Sequence, residues 1–414
     1  MLRRFKYQLI RIAPILLVIG PGIISGSVDN DAGGITTYSV AGAQFGTTLL
    51  WVLFLTTFSL AVTQEVGARL GIATGKGLAA LIREKFGVRW TTFIMIVLLI
   101  ANLGTIAAEF AGIAAALQIV GMSKFISVPL AAVIIFLLVT KGSFKRLEKI
   151  FLVASAFYIV YVISAYLAHP NWTNAFKDLV IPTFSANKAY LLTLIAVIGT
   201  TITPWGQFFI QDYVVDKKLS KEDMKIERGD VFFGSFITNI ISFFIIVACA
   251  ATLYTHGRVI QDAADAAVAL QPFAGHFATI LFGLGLFNAS IFGAALVPIS
   301  TSYVITEAFG FESGLDHGFS EAPEFYGLFA FLLIIGGLLV VLPFLPLLTI
   351  LFVSQAVNAI LLLPIFIFLL LLSNDSKLLN GYSNGKFVNT ILLVTMFALA
   401  IASIAYFISI FVTF

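Results

Sequence analysis

An all-α polytopic membrane protein is the fold class the sequence predicts, and three observations predict it. Of the 414 residues, 60% are hydrophobic and 11% are charged, where a soluble domain carries ~25% charged residues. The apolar residues gather into about eleven runs, each near the ~20 residues that cross a bilayer as a helix. Lys and Arg are divided unevenly between the two sets of loops that join those runs. Together these exclude a soluble globular domain, a disordered chain and an outer-membrane barrel, whose strands alternate over short stretches. The single Cys249 excludes an intrachain disulfide framework.

The spans lie near 13–38, 46–70, 92–119, 126–141, 149–168, 189–214, 231–255, 275–307, 325–344, 346–372 and 387–412. The basic and then apolar N-terminus reads as a retained first span, because its apolar stretch outruns a signal-peptide core and has no small-residue cleavage site. The connections are short, so 1–414 reads as a single transmembrane domain. With the N-terminus inside, only Lys124, Lys177, Lys188 and Arg258 fall on the other side, leaving 20 of the 24 basic residues inside. That asymmetry sets the orientation in the cell membrane: N-terminus cytoplasmic and, after eleven spans, C-terminus outside. Spread over many loops, the charges read as a topology signal, and no nucleic-acid partner is expected.

Two spans are unsuited to a continuous helix. The first contains Gly20, Pro21, Gly22, Gly26, Gly33 and Gly34 together with Asp29 and Asp31. Gly costs ~1 and Pro ~3 kcal/mol relative to Ala inside a helix, and a carboxylate at mid-membrane costs at least ~2.5 kcal/mol. The sixth is interrupted by Pro204 and Gly206, with Thr200, Thr203 and Gln207 alongside. A polar helix break in the first span of each five-span half is the mark of an inverted-repeat transporter. Repeat one then covers about 13–168, repeat two about 189–372, and an extra helix about 387–412, with the breaks at Gly33, Pro204 and Gly206. Carbonyls freed by unwinding are tolerated only where protein or water covers them. Beside a carboxylate they can coordinate a cation.

The run Asp31–Ala–Gly–Gly34 followed by Ala41–Gly–Ala–Gln–Phe–Gly46 resembles the Asp-Pro-Gly-Asn segment and the Ala-Gly-Ala-Gln-Phe-Gly that follows it in the NRAMP divalent-metal transporters. Ala68–Arg–Leu–Gly–Ile–Ala–Thr–Gly–Lys76 resembles their signature after the second span, and Phe144–Lys–Arg–Leu–Glu148 and Ser354–Gln355 also fit. The resemblance implies a LeuT-like fold of two inverted five-helix repeats plus an eleventh transmembrane helix, and a transporter rather than an enzyme, with no cofactor. It also implies a metal site, carried over residue by residue. The family's Asp is Asp31, its Asn is replaced by Gly34, the sixth-helix carbonyl falls on Thr200, and the tenth-helix Gln is Gln355. The family's Met-Pro-His becomes Thr203–Pro204–Trp205, so the thioether and the His are missing. In the third helix, Asp-x-x-Glu becomes Ile106–Ala–Ala–Glu109. The ninth-helix arginines have no counterpart, since 324–343 contains no Arg or Lys. This pattern resembles the NRAMP-related magnesium transporter branch.

The chemistry of the residues points the same way. A thioether favours late transition metals; carboxylate, hydroxyl, carbonyl and amide oxygens suit Mg²⁺, Mn²⁺ and Ca²⁺, and Mg²⁺ keeps several of its waters. Exchanging Asn and Met for Gly34 and Thr203 removes bulk, which predicts a roomier cavity for a largely hydrated ion. Asp31 is its one indispensable charge, and Gln207 reaches the water shell, or ties neighbouring helices together. Glu109 is a second acid acting through water, or a structural one; Asp29 faces the vestibule, or caps the half-helix that follows. His169, His256, His276 and His317 all fall in loops or at span ends, so a proton relay, which needs titratable groups through the membrane, is not expected. Uncoupled uptake of Mg²⁺ or Mn²⁺ by a monomer in the lipid bilayer is the expected function. The alternatives are a proton-coupled Mn²⁺/Fe²⁺ transporter, a carrier of a small organic solute such as an amino acid, and a non-transporting sensor or channel-like subunit. Glu65 and Glu307, near span ends, read as interfacial acids or as gates, with Arg69 or loop lysines as partners.

Overall fold

The computed structural model describes residues 30–141, 156–312, 314, 318–342 and 346–411. The expectations for the first half of span one, including Asp29, and for Phe144–Glu148 fall outside the described residues. The principal helices are α1 (Ala32–Phe45), α2 (Leu50–Thr74), α3 (Leu78–Phe86), α4 (Val88–Gln118), α5 (Lys124–Lys141), α6 (Ile159–Leu167), α7 (Trp172–Val180), α8 (Lys188–Thr201), α9 (Pro204–Asp216), α10 (Met224–Thr252), α11 (Ala278–Phe309), α12 (Pro323–Val341), α13 (Leu347–Ser373) and α14 (Lys386–Phe411). Among the described residues, nine segments are long and apolar enough to cross a membrane.

The packing exchanges the two halves. Span one, as α1, lies on span seven, α10; span six, as α8 and α9, lies on span two, α2. The pairs that map onto themselves under that exchange, α1 with α8, α2 with α10 and α4 with α11, are also in contact. This reciprocity is what an internal two-fold produces. The apolar window of α8–α9 is 89% buried, against 28% for α5 and for α14. The broken span therefore runs through the centre, and α5 and α14 form the lipid-facing edge.

The sixth span is broken, but one residue earlier than the glycine and proline spacing predicts. The Ile202 N–H closes the last turn of α8 on the Ile198 carbonyl at 2.9 Å. Ile202 (φ −122°, ψ 93°) and Thr203 (φ −89°, ψ 144°) are extended, and Pro204 opens α9 at the position where a missing N–H costs least. Gly206 lies inside the first turn of α9, so it does not break the span. Gly33 likewise sits in the first turn of α1. The chain turns helical right after Asp31, and Gly33 serves a packing need described below.

Candidate cation site

Asp31 is the N-cap of α1. Its backbone is extended, and its Oδ1 accepts the Gly34 N–H at 2.6 Å, as short polar side chains do at a helix start. Gly34 is thereby a capping donor whose carbonyl lies inside the helix. It leaves space at the site and offers no ligand atom, a correction to its place in the expected ligand set. Asp31 is 3% exposed and has no basic partner in any ion pair among the described residues.

The residue before it, Asn30, was not singled out by the sequence, yet it anchors the start of α1. Its backbone carbonyl accepts the Tyr158 hydroxyl at 2.7 Å. Its side chain donates to the Thr238 carbonyl at 3.3 Å and accepts from Ser242 at 3.0 Å, both on α10. Pairing each of these groups is what allows a helix to begin inside the membrane.

Gln355 of α13 meets α1 at Gly33: a Cβ on Gly33 would overlap the Gln355 side-chain amide and lie 3.2 Å from Asp31 Oδ1. Gln355 Oε1 accepts from Asn358 at 3.2 Å, and Asn358 also donates to Thr105 of α4 at 2.9 Å. On its other side, the Gln355 backbone lies against Gly199 of α8 so closely that a Cβ there would overlap the carbonyl. Thr200 follows Gly199 in the last turn of α8; with Ile202 and Thr203 extended beyond it and Pro204 lacking an N–H, the helix supplies its carbonyl no i+4 donor. The break, the cap and Gln355 thus converge on one level of the fold.

Around that level, buried oxygens have no hydrogen-bond partner: Thr200 Oγ1, Thr203 Oγ1, Gln207 Oε1 and both oxygens of Glu109. Orphaned buried acceptors are uncommon in folded proteins and call for a cause; a bound ion or its water is one. Glu109 of α4 faces Asp31 and the Ala32 amide without reaching hydrogen-bond geometry, and rests against Gly293 of α11. Trp205 is buried, its ring 5.4 Å from that of Phe209 and its Nε1 unbonded. Three residues before Glu109, Ile106 packs on Gly336 of α12, so an apolar contact fills that stretch.

A cavity of about 710 Å³ lies farther along α1, reaching Thr36 and Ser39, and is bounded by Leu351, Gln118, Lys124 and Asp262. Leu351 is one turn from Gln355 along α13, so the cavity ends about a helical turn short of the site. On the opposite side, Glu65 is joined to Arg69 on its own helix and to Arg228 of α10, and Arg69 reaches on to the 382–384 loop.

Residues 22–409 match the Natural resistance-associated macrophage protein-like family. The chain belongs to that family. It is 27% identical over 315 residues to a protein of Deinococcus radiodurans called "Divalent metal cation transporter MntH", spanning 72% of this chain and 70% of that one. The same name is given to a Klebsiella pneumoniae protein 29% identical over 301 residues, 71% of this chain and 72% of the relative. A crystal structure of the Eremococcus coleocola manganese transporter superposes with a TM-score of 0.78 at 20% identity, covering 96% of this chain and 86% of the other. Mhp1, a nucleobase-cation-symport-1 family transporter, superposes at 0.56 and 12% identity over 94% and 90%. The fold is accordingly LeuT-like, and the internal exchange of halves seen in the packing is its inverted repeat.

Proposed function

We propose that the chain carries divalent metal ions across the cell membrane, Mg²⁺ foremost and Mn²⁺ with it, by alternating access and without proton coupling. The observation that carries this reading is Asp31. It is a buried acid with no basic partner, at the start of a half-helix and beside the Gln355 amide, at the level where α8 and α9 come apart. Every unpartnered atom at that level that can ligate is an oxygen: Thr200, Thr203, Gln207 and Glu109. An oxygen-only set suits hard cations, and the absence of a thioether removes the preference for late transition metals. The names of the Deinococcus and Klebsiella relatives support the divalent cargo. An organic solute with a carboxylate would be repelled by Asp31.

The uncoupled reading rests on the α4–α12 contact, where Ile106 against Gly336 puts no titratable group between the two helices. The membrane potential suffices for uptake, since a divalent ion gains ~4.6 kcal/mol per 100 mV from ~2.3 per charge. In this reading the carrier works as a monomer with its N-terminus cytoplasmic and its C-terminus outside, and the 710 Å³ cavity beside Lys124 is the external vestibule. Proteoliposomes holding a Mg²⁺-sensitive dye and a pH dye test both parts. Mg²⁺ influx that saturates, is lost in Asp31→Ala and leaves internal pH constant is the expected result. Undiminished influx in Asp31→Ala overturns the site, and internal acidification during uptake overturns the uncoupled mechanism.

A further inference from the structure

Beyond the break, α9 carries further buried side-chain oxygens without hydrogen-bond partners: Gln211 Oε1 and both oxygens of Asp212. Glu307, near the end of α11, arrives opposite Asp212, and Gly77, the cap of α3 with no side chain, lies between them. A Cβ on Gly77 would sit 2.2 Å from Asp212 Oδ1 and 2.5 Å from Glu307 Oε2, so these oxygens are at most 4.7 Å apart. Asp212 is 6% exposed, and neither of its oxygens nor Glu307 Oε2 reaches hydrogen-bond geometry. The Leu78 and Gly77 amides at the start of α3 lie beside the two carboxyls. Among the described residues, neither acid is ion-paired with a Lys, Arg or His. Asp216, one turn farther along α9, accepts the Tyr303 hydroxyl at 2.9 Å.

Two carboxylates this close, Asp212 buried and Glu307 half-buried with its facing Oε2 out of reach of water, cannot both stay charged unless something positive lies between them. We propose that Asp212 and Glu307 form a second divalent-cation site, ~14 Å past the break along α9 at 1.5 Å per residue, where the ion pauses on leaving Asp31. Two carboxylates from different helices supply hard oxygen ligands for Mg²⁺ or Mn²⁺, and the missing Cβ of Gly77 leaves room for the ion and its waters. The α3 amides stabilise the two acids when the ion has moved on. Gln207 and Gln211, each one turn apart between Thr203 and this pair, offer their free oxygens along the way.

This site rests on the proposed cation transport, and Mn²⁺ binding to the full-length protein in detergent separates the two ideas. Electron paramagnetic resonance of Mn²⁺ titrated into the wild type should count two bound ions. Asp31→Ala should keep one. Asp212→Asn with Glu307→Gln should also keep one, the ion at Asp31, which certifies the fold of that variant. The three substitutions together should bind none. One ion in the wild type and none in Asp31→Ala overturns the inner site while leaving the central one. Residual binding in Asp31→Ala that survives Asp212→Asn with Glu307→Gln overturns it as well. Binding that ignores Asp31→Ala but is abolished at the inner pair supports the inner site and defeats the central one. If the inner variant does not fold, wild-type crystals soaked in Mn²⁺ decide: an anomalous peak between Asp212 and Glu307 supports the site, and a peak at Asp31 alone overturns it.

Discussion

Gly33 and Gln355 share one space: the Gln355 side-chain amide occupies the position a side chain on Gly33 would fill, 3.2 Å from Asp31 Oδ1. Gln355 is not free to swing aside at no cost, because Asn358 donates to its Oε1 and is itself tied to Thr105. Gly33→Ala should push the amide away from Asp31 while leaving the cap intact. Mg²⁺ or Mn²⁺ affinity should fall about tenfold or more, since overpacking costs roughly 1–3 kcal/mol and 1.4 kcal/mol is a factor of ten. Titration calorimetry measures it; unchanged affinity would remove Gln355 from the site.

At Gly199 the obstruction is backbone, so the outcome differs in kind. An added Cβ would meet the Gln355 carbonyl and the Ala359 amide of α13, neither of which can rotate away. Small residues at such crossings let membrane helices approach closely. Gly199→Ala should therefore lower the melting temperature of the purified protein, by an effect equivalent to at least about 1–3 kcal/mol. Melting followed by size-exclusion chromatography reads it, and a wild-type-like melt would mean that α8 and α13 are looser than their contact indicates.

The Glu65 tie offers a graded test of burial. Arg69 and Glu65 side chains are 6% and 8% exposed, with Nε–Oε1 at 3.2 Å, whereas Arg228 reaches the same carboxylate at 2.7 Å with 53% of its side chain in the open. Arg69 also bonds the Tyr382 carbonyl and Asn384 Oδ1, the latter at 2.7 Å. Breaking a buried pair costs ~3–5 kcal/mol, while an exposed pair gives at most ~1 kcal/mol. Arg69→Ala should destabilise strongly and Arg228→Ala weakly in the same thermal assay; equal losses would contradict the burial argument.

How much of this was legible in the sequence follows from range. Spans declare themselves through local composition, and the break before Pro204 through a residue that cannot donate. Placing the break at Gly206 failed because a glycine in a first helical turn carries no local mark of whether the chain bends there. Nothing local marks Asn30, because its partners, Tyr158, Thr238 and Ser242, lie more than a hundred residues away. Gly33 as the seat of Gln355 was equally hidden, since a missing side chain does not name its occupant. The tie of Glu65 to Arg69 is one helical turn long and was visible; its second partner, Arg228, was not.

On the loop between α13 and α14, Lys85 pairs with Asp375 and holds its carboxyl below the ordinary value of 3.8. A lowered acid stabilises the folded state above its unfolded value, and that contribution fades as pH drops through the lower folded value. The window therefore sits below about pH 4. Between pH 5 and 8, Asp375→Asn should shift the melting temperature by the same small amount at every pH, because the charge is fully present throughout. A pH-dependent difference from wild type within that range would mean the bridge is not the main influence on Asp375.

The choice of ion is testable at Thr203, whose hydroxyl is buried, unbonded and set in the break between α8 and α9. Thr203→Met would bring a thioether to that level. Sulfur adds little for Mg²⁺, whose preferred ligands are oxygens, and favours softer ions such as Cd²⁺. Cd²⁺ should bind the variant about tenfold more tightly than the wild type, a gain of roughly 1.4 kcal/mol, while Mg²⁺ influx falls because the longer side chain crowds the hydrated ion. Calorimetry with both metals, beside Mg²⁺ flux in proteoliposomes, separates these effects. If Cd²⁺ affinity stays flat while the protein melts normally, residue 203 does not face the ion, and the hydroxyl must be dropped from its ligands.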